Sequence, residues 1–146
     1  MMAELPRYWS PAFIDLYVET LNEDEDFYKE TKRFNNTIIL RCLDTPDGRD
    51  VSAAYTIDHG EVTVKVVDEA APSEAVRESP FDRNEALARA TAPYEVWTRL
   101  DKGEMNVLGA LASPDYKIEG ATIKIMLNIG VFNALSDVAS NIDKAY

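Results

Sequence analysis

The sequence holds few residues that could carry out covalent chemistry. Its one histidine, His59, stands beside Gly60 in a segment typical of a hairpin turn, and its one cysteine, Cys42, lies on the apolar side of an alternating segment. A nucleophile needs a base that activates it, and no motif joins these two residues. We therefore interpret His59 as a turn residue and Cys42 as a small core residue. Two of the 26 acidic side chains could still form an acid–base pair, so a small enzyme stays open as the least favoured hypothesis.

The sequence also lacks the patterns that hold metals and nucleotides. A single histidine and a single cysteine exclude a site built from several such ligands. The consecutive acids from Glu23 to Asp26 would fan around one helical turn, so they could not converge on one ion. The six glycines are scattered and match no phosphate-binding spacing. We expect no metal ion, no cofactor and no catalytic residue.

Charge and composition limit the classes of partner that the protein can have. The 146 residues include 15 Lys and Arg against 26 Asp and Glu, which gives a net charge of −11. This charge argues against nucleic acid and against docking on anionic lipid. The apolar runs are too short for an integral membrane segment, and the first residues have no secretory pattern. A lone cysteine suits a reducing compartment, so we expect a cytoplasmic location.

Hydrophobic periodicity divides the first half of the chain into helices and then strands. Apolar residues three and four apart after Ser10 predict a helix, and Asn22 predicts the cap of a second helix over residues 23–33. The period then changes to two, which predicts a three-stranded antiparallel meander. We expect these strands at residues 36–43, 50–58 and 61–68, with turns at Gly48 and Gly60.

The second half begins with a break in the pattern. Residues 69–85 contain two prolines and many polar residues, and we expect a long loop or lid with one helical turn at residues 73–77. A short strand over residues 86–91 follows, and Pro93 then opens a helix. The remainder predicts a short helix, a strand and a terminal helix, over residues 104–112, 116–120 and 121–142.

The terminal helix has a wider apolar face than one packing surface requires. One stripe of apolar residues runs along it, and Met126, Leu127 and Val131 widen that stripe. Such a helix must be sandwiched, line a pocket or meet another chain. For residues 121–142, a tunnel wall and the interface of a homodimer or accessory module therefore both stay open.

A distinctive order of elements runs through residues 88–129. A short strand leads into a helix that bears a tryptophan, and a second helix follows. A strand that ends in glycine comes next, followed at once by an apolar helix with a lysine near its start. In sequence these features are Ala88–Thr91, Trp97, Gly103–Ala112, Asp115–Gly120 and Lys124. This order resembles the sterol carrier protein (type two) lipid-binding family, and the helices and meander upstream are similar to the way such domains begin.

The resemblance implies an α+β fold in which helices cover one face of a five-stranded, mostly antiparallel sheet. An apolar tunnel between the two layers would hold a sterol, a fatty acyl chain or an isoprenoid lipid, without catalysis. A single domain would span residues 1–146, and residues 1–9 could form a flexible N-terminus. From apolar face and family position, the candidate tunnel residues are Trp97, Leu100, Leu108, Leu111, Met126, Leu127, Ile129 and Phe132, although each could equally be an ordinary core residue.

Overall fold

The structure is a computed structural model, and it describes residues 4–146. The predicted meander is confirmed, because each of its strands lies within two residues of the expected bounds. In chain order the elements are α1 (Pro11–Glu23), α2 (Glu25–Thr31), β1 (Asn35–Leu43), β2 (Arg49–Asp58), β3 (Glu61–Ala70), α3 (Glu74–Arg77), β4 (Ala88–Pro93), α4 (Tyr94–Asp101), α5 (Val107–Leu111), β5 (Lys117–Gly120), α6 (Thr122–Leu127) and α7 (Ile129–Ser140).

The strands form one sheet in the order β3-β2-β1-β4-β5. β1 pairs in parallel with β4, and the other three neighbouring pairs are antiparallel. The prediction of an α+β fold with a five-stranded, mostly antiparallel sheet is therefore confirmed. After the meander, the connection that follows β3 brings β4 back beside β1. The pair of β1 and β4 therefore joins the strands from the first half of the chain to those from the second half.

Alternation along the strands gives the sheet two different faces. Ile38 and Cys42 of β1, Tyr55 of β2 and Ala90 of β4 belong to one continuous hydrophobic core. Helices α1, α4 and α7 contribute their buried residues to the same core, and the rings of Tyr17 and Tyr55 are 5.4 Å apart, centre to centre. The helices therefore cover this face of the sheet.

The opposite face carries a buried charged network. Arg41 and Arg89 occupy positions that alternate with the core-facing residues, and both are buried. The Arg89 guanidinium donates to the two carboxylate oxygens of Glu119 at 2.9 and 3.1 Å. Arg41 donates to the Thr91 hydroxyl at 2.8 Å and to the carbonyl of Val76 in α3. The long side chains of Arg41 and Arg89 thus join β1 and β4 to the chain segment that crosses this face of the sheet.

That segment is the connection between β3 and β4. The Ser73 hydroxyl accepts the Val76 N–H at 3.1 Å and so caps α3, which confirms the expected helical turn. The buried Asp50 carboxylate accepts the Ser73 N–H at 2.8 Å and two guanidinium N–H groups of Arg77 at 2.7 and 3.0 Å. Residues 69–85, which we expected to form a long loop or lid, are thereby attached opposite the helices.

The cap of α2 differs from the sequence prediction. The Asp24 carboxylate accepts the Phe27 N–H at 2.7 Å, so Asp24 rather than Asn22 is the cap. Asn22 instead donates to the Val62 carbonyl at 3.0 Å and accepts the Val62 N–H at 2.8 Å. A carboxamide can donate and accept at once, and this residue uses both capacities to fix α1 against β3.

The prediction of one terminal helix over residues 121–142 is wrong. The chain leaves helical geometry at Asn128, whose φ is −113° and ψ is 20°. The Asn128 side chain donates to the Lys124 carbonyl at 2.8 Å, which competes with continuation of the helix. Gly130 follows closely and also lowers helix propensity. The apolar stripe is thus divided between α6 and α7, which meet the rest of the molecule differently.

The two ends of the described chain lie side by side. The Tyr8 N–H donates to the Ala145 carbonyl at 2.8 Å, and the Ala145 N–H donates to the Pro6 carbonyl at 2.9 Å. The side chains of Tyr8 and Trp9 are buried in the core. Tyr8 and Trp9 are therefore packed in the core, whereas we expected residues 1–9 to form a flexible N-terminus. Residues 1–3 lie outside the described range.

Candidate functional site

An apolar cavity lies between the helices and the core-facing side of the sheet. Its volume is about 60 Å³. Pockets that hold drug-sized ligands measure about 300–1,000 Å³, so a lipid could enter this cavity only if its walls separated. The residues that line it are Tyr8, Trp9, Phe13, Ile14, Tyr17, Leu40, Tyr55, Trp97, Leu100, Asp101, Val107, Tyr116, Phe132, Leu135, Ser136 and Ala139.

Helical periodicity explains how the helices supply this wall. Residues three and four apart share one face of a helix. On α7 these wall residues are Phe132, Leu135, Ser136 and Ala139, and on α1 they are Phe13, Ile14 and Tyr17. Aromatic rings fill much of the space between the helices. The rings of Trp9 and Trp97 are 5.3 Å apart and those of Phe13 and Tyr17 are 5.6 Å apart, centre to centre.

Two aromatic side chains of the wall have their polar atoms paired within the chain. The Tyr17 hydroxyl donates to the Leu135 carbonyl at 2.6 Å, and the Trp97 indole N–H donates to the Arg41 carbonyl at 2.9 Å. Burial raises the pKa of Tyr17 and holds this phenol neutral. Burial also raises the pKa of Tyr116 to about 12. The wall therefore presents uncharged surface over most of its extent.

Asp101, the last residue of α4, is the charged exception in the wall. Its side chain is fully buried. The Oδ2 atom accepts from the Lys144 ammonium at 2.5 Å and also from the Tyr146 hydroxyl. Lys144 is itself buried and donates a second hydrogen bond to the Ala139 carbonyl at 2.6 Å. The two C-terminal side chains thus compensate the charge of Asp101.

Three buried side-chain nitrogen or oxygen atoms have no hydrogen-bond partner within residues 4–146. They are Asp101 Oδ1, Trp9 Nε1 and Tyr94 Oη. Two of the three residues, Asp101 and Trp9, line the cavity. An unpaired buried polar group costs about 1–3 kcal/mol, and more for a charged group.

The candidate tunnel residues fall into three groups. Trp97, Leu100 and Phe132 line the cavity. Leu111 and Ile129 are partly buried and pack against the core outside the cavity. The remaining three are exposed and do not line it: Leu108 (55% exposed), Met126 (45%) and Leu127 (79%). These three residues belong to the short helices α5 and α6. No other part of the described chain covers the sides of the helices on which they lie.

Sequence reasoning missed most of the N-terminal wall. The spacing of Phe13 and Tyr17 did show that α1 is amphipathic, although it could not show that α1 faces a cavity. Tyr8 and Trp9 precede the helix and belong to no periodic segment, so no pattern marked them. Asp101 stood at a predicted helix end, where an acid is ordinarily exposed to solvent.

The part of the chain that the structure describes shows neither a metal-binding cluster nor a membrane-spanning helix. Across residues 4–146, no group of three or more His, Cys, Asp or Glu side chains is arranged to hold a metal ion. Over the same residues, no helix has the length and apolar character needed to cross a membrane.

Helices on one face of a sheet with this strand order also occur in solved structures of sterol carrier proteins. A crystal structure of sterol carrier protein 2 is similar over 94% of this chain and 100% of its own, with a TM-score of 0.73 and 20% identity. A solution structure of a possible sterol carrier protein from Thermus thermophilus is similar over 98% of this chain and 94% of its own, with a TM-score of 0.70 and 19% identity. The resemblance expected from the sequence is therefore confirmed at the level of the fold.

The same fold also occurs within a longer chain. A sec-alkyl sulfatase variant is similar over 86% of this chain but only 16% of its own, with a TM-score of 0.52 and 17% identity. No family model matches the sequence, and no curated protein matches it. At these identities the comparisons establish the architecture, and the function has to be argued from the site.

Proposed function

We propose that the protein binds and transfers a hydrophobic small molecule, such as a sterol, a fatty acyl chain or an isoprenoid lipid, between its helical layer and its sheet. The observation that carries the proposal is the cavity itself, walled by aromatic and aliphatic side chains. Each CH₂ group moved from water into such a wall contributes about 0.8 kcal/mol. A long apolar ligand can therefore bind tightly with few polar contacts.

Binding requires the cavity to widen, and the helical wall is the part that can move. The sheet wall is held by the continuous ladders that join β2, β1 and β4. Of the helices in that wall, α1 is fixed to β3 by the two hydrogen bonds of Asn22, whereas α7 meets the sheet through side-chain packing, which can rearrange without breaking a ladder. We propose that α7 separates from the sheet as the ligand enters.

The proposal is for a carrier without catalytic activity, in the cytoplasm. Cys42 is fully buried, and burial raises its thiol pKa, which keeps the thiol protonated and a poor nucleophile. His59 lies at a positive φ of 50° in the turn between β2 and β3, with its side chain mostly exposed. The two residues that could have formed a catalytic pair thus have unrelated structural roles.

The direct test is native mass spectrometry of the purified protein, with organic extraction and mass analysis of whatever is released. The expected result is a hydrophobic molecule at close to one per chain. Protein stripped of lipid should then bind an added twelve-carbon ligand, with quenching or a shift of tryptophan fluorescence, because both tryptophans of the sequence line the cavity. Failure to bind any hydrophobic ligand would overturn the proposal.

Ala139→Leu is expected to weaken binding of a twelve-carbon ligand at least about tenfold. The substitution adds three carbon atoms to the wall of a cavity of about 60 Å³, and filling a packed site costs about 1–3 kcal/mol. Ala134→Leu is the matched control, since Ala134 lies on the same helix but does not line the cavity. Titrations followed by fluorescence would compare the two variants, and equal affinities would contradict the assignment of the site.

The exposed strip of α6 supports a second candidate function, self-association. Ile123, Met126 and Leu127 are 76%, 45% and 79% exposed and lie three and four residues apart on one helical side. Exposed apolar strips of this kind often mark interfaces. In this proposal two copies of the chain pair through α6. The buried stripe of α7 is not available for that contact.

If α6 is an interface, Leu127→Asp is expected to convert a dimer into a monomer in sedimentation velocity. Val138→Asp is not a suitable test, because Val138 is buried in the core. The control is Leu16→Asp, which changes another exposed leucine on α1. A wild-type protein that sediments at 16.4 kDa at all concentrations would rule out this second function.

A further inference from the structure

The strand β3 lies at one edge of the sheet, where β2 is its neighbour on one side. It is ten residues long, whereas β5 at the opposite edge has four. Sheets in natural proteins usually have short or covered edge strands, because an open edge pairs readily with another strand. The long edge of β3 is therefore a candidate binding surface.

The turn between β2 and β3 determines which backbone groups point toward this free edge. Both residues of the turn have a positive φ, 50° and 91°, which is the geometry of a two-residue hairpin turn and makes Asp58 and Glu61 a hydrogen-bonded pair. Hydrogen-bonded and non-bonded pairs then alternate. The odd-numbered residues of β3 therefore bond β2, and the even-numbered residues direct their N–H and C=O groups outward. The Ala71 N–H, which donates to the Gly48 carbonyl at 2.9 Å, continues this alternation beyond the strand.

Side chains pair with the free edge near its two ends. The Asn22 carboxamide binds both the N–H and the C=O of Val62, and Arg49 donates to the Asp68 carbonyl at 3.0 Å. A carbonyl oxygen has two lone pairs, so Asp68 can accept a second hydrogen bond. Between these points, the outward backbone groups of β3 have no hydrogen-bond partner within residues 4–146. They are available to an incoming strand.

The side chains of this open stretch are apolar at its centre and charged on either side. Val66 and Val67 are 42% and 43% exposed and lie on opposite faces of the sheet. Lys65 and Glu69 are both exposed, and they lie two residues before and two residues after Val67, on the same face. This order of charges is complementary to its own reverse, which is the relation between two antiparallel copies of one strand.

From this arrangement we propose that β3 pairs antiparallel with β3 of a second copy of the chain, with Val67 opposite Val67 of the other copy. In that register Lys65 lies opposite Glu69 of the other copy, and two-fold symmetry repeats the pair. Val66 of one copy exchanges backbone hydrogen bonds with Asp68 of the other, so the two sheets become continuous. Opposite charges that face each other across strands stabilise the pairing, and like charges destabilise it.

The test is sedimentation velocity from about 1 μM to 1 mM protein in about 0.15 M salt, which screens the net charge of −11. We expect the wild type to change from 16.4 kDa to twice that mass as the concentration rises. Lys65→Glu and Glu69→Lys each place two pairs of like charges across the interface, so each should weaken self-association by about tenfold or more. Both side chains are exposed, so both variants should fold.

A mixture of these two variants should restore the dimer. In the mixed dimer, the glutamate introduced by Lys65→Glu faces the lysine introduced by Glu69→Lys, and the unchanged Glu69 faces the unchanged Lys65. The matched control is Lys117→Glu, which makes the same charge change on β5 at the other edge of the sheet. Its self-association should equal that of the wild type.

Hydrogen exchange followed by NMR reports which surface is used. The amides of Val64 and Val66 should exchange rapidly at low concentration and be protected in the dimer, while the amides of Thr63 and Lys65, which bond β2, are protected in both states. Leu127→Asp should leave this protection unchanged, because α6 does not take part in the contact.

A wild type that stays at 16.4 kDa at every concentration would overturn the proposal. So would a mixture that associates no more tightly than either variant alone, or edge amides that stay unprotected in the dimer. A dimer that Leu127→Asp disrupts and Lys65→Glu does not would place the second copy on α6 instead. None of these outcomes depends on whether the protein binds a ligand.

Discussion

Replacing Asp50 by alanine is expected to lower the free energy of unfolding by about 3–5 kcal/mol. The Asp50 carboxylate is fully buried and accepts hydrogen bonds from the backbone N–H groups of Asp44 and Ser73, at 3.0 and 2.8 Å. It also accepts two guanidinium hydrogen bonds from Arg77. Alanine would leave all these donors unpaired and detach α3 from the sheet. Urea unfolding followed by circular dichroism would measure the change.

Asp68→Ala is the matched control for that experiment. Asp68 pairs with Arg49 at 2.8 Å, but both side chains are partly exposed. Exposed pairs of this kind contribute about 0–1 kcal/mol. A loss for Asp50→Ala as small as the loss for Asp68→Ala would show that the buried network does not hold the connection in place.

The effect of Asp50 should also depend on pH. Burial alone raises the pKa of this carboxyl, but the hydrogen bonds from Arg77 and from the two backbone N–H groups outweigh burial and lower it below its ordinary value. A lowered pKa stabilises the folded state fully above the unfolded pKa of about 3.9. The difference between the wild type and Asp50→Ala should stay constant above about pH 5 and shrink as the pH falls below about 4. A difference that grows toward acid pH would contradict this account.

Gly120→Ala is expected to destabilise the fold by about 2–6 kcal/mol, from backbone strain and overpacking together. Gly120 ends β5 at a φ of +133°, a conformation that side chains rarely adopt. A Cβ atom there would lie 2.5 Å from the carbonyl oxygen of Leu87, the residue just before β4. Backbone cannot move aside as a flexible side chain can. Thermal unfolding would report the loss as a large fall in Tm.

The control for Gly120 is Gly48→Ala. Gly48 also has a positive φ, of +72°, but a Cβ atom there meets nothing within 4 Å. Only the left-handed backbone conformation would then be penalised, by about 1–2 kcal/mol. Equal losses at the two glycines would mean that the close approach of Leu87 contributes nothing.

The three strands of the meander could be predicted because alternating polarity and turn residues are local features of the sequence. Apolar and polar residues alternate through β1, β2 and β3, and the turns contain Gly48 and Gly60, which both have positive φ. The position of β4 beside β1 does not follow from local pattern. It depends on pairings between residues about 50 positions apart, such as Ile38 with Ala88. The resemblance to a known family implied five strands in a mostly antiparallel sheet, but it did not give the strand order.

The site was less predictable, for two physical reasons. Ile125, Ile129 and Phe132 keep the spacing of one continuous helix, so the sequence pattern does not indicate the break at Asn128. That break separates α6 from α7, and Leu127 at the end of α6 is exposed to solvent. The burial of Asp101 in the cavity wall depends on its contact with Lys144, which lies 43 residues away in the sequence. No sequence spacing predicts a contact of that length. Of the residues predicted from the sequence, Trp97, Leu100 and Phe132 line the cavity, whereas Tyr8, Trp9 and Asp101 in its wall were not predicted.

The meeting of the two chain ends has a consequence for folding during synthesis. The contact between Tyr8 and Ala145 spans nearly the whole sequence, so the first aromatic residues of the cavity must wait for the last ones to be made. Until Lys144 has been synthesised, Asp101 has no counter-charge. The sheet and the early helices can form on the nascent chain before then. The cavity wall around Asp101 is therefore among the last parts of the domain to be completed.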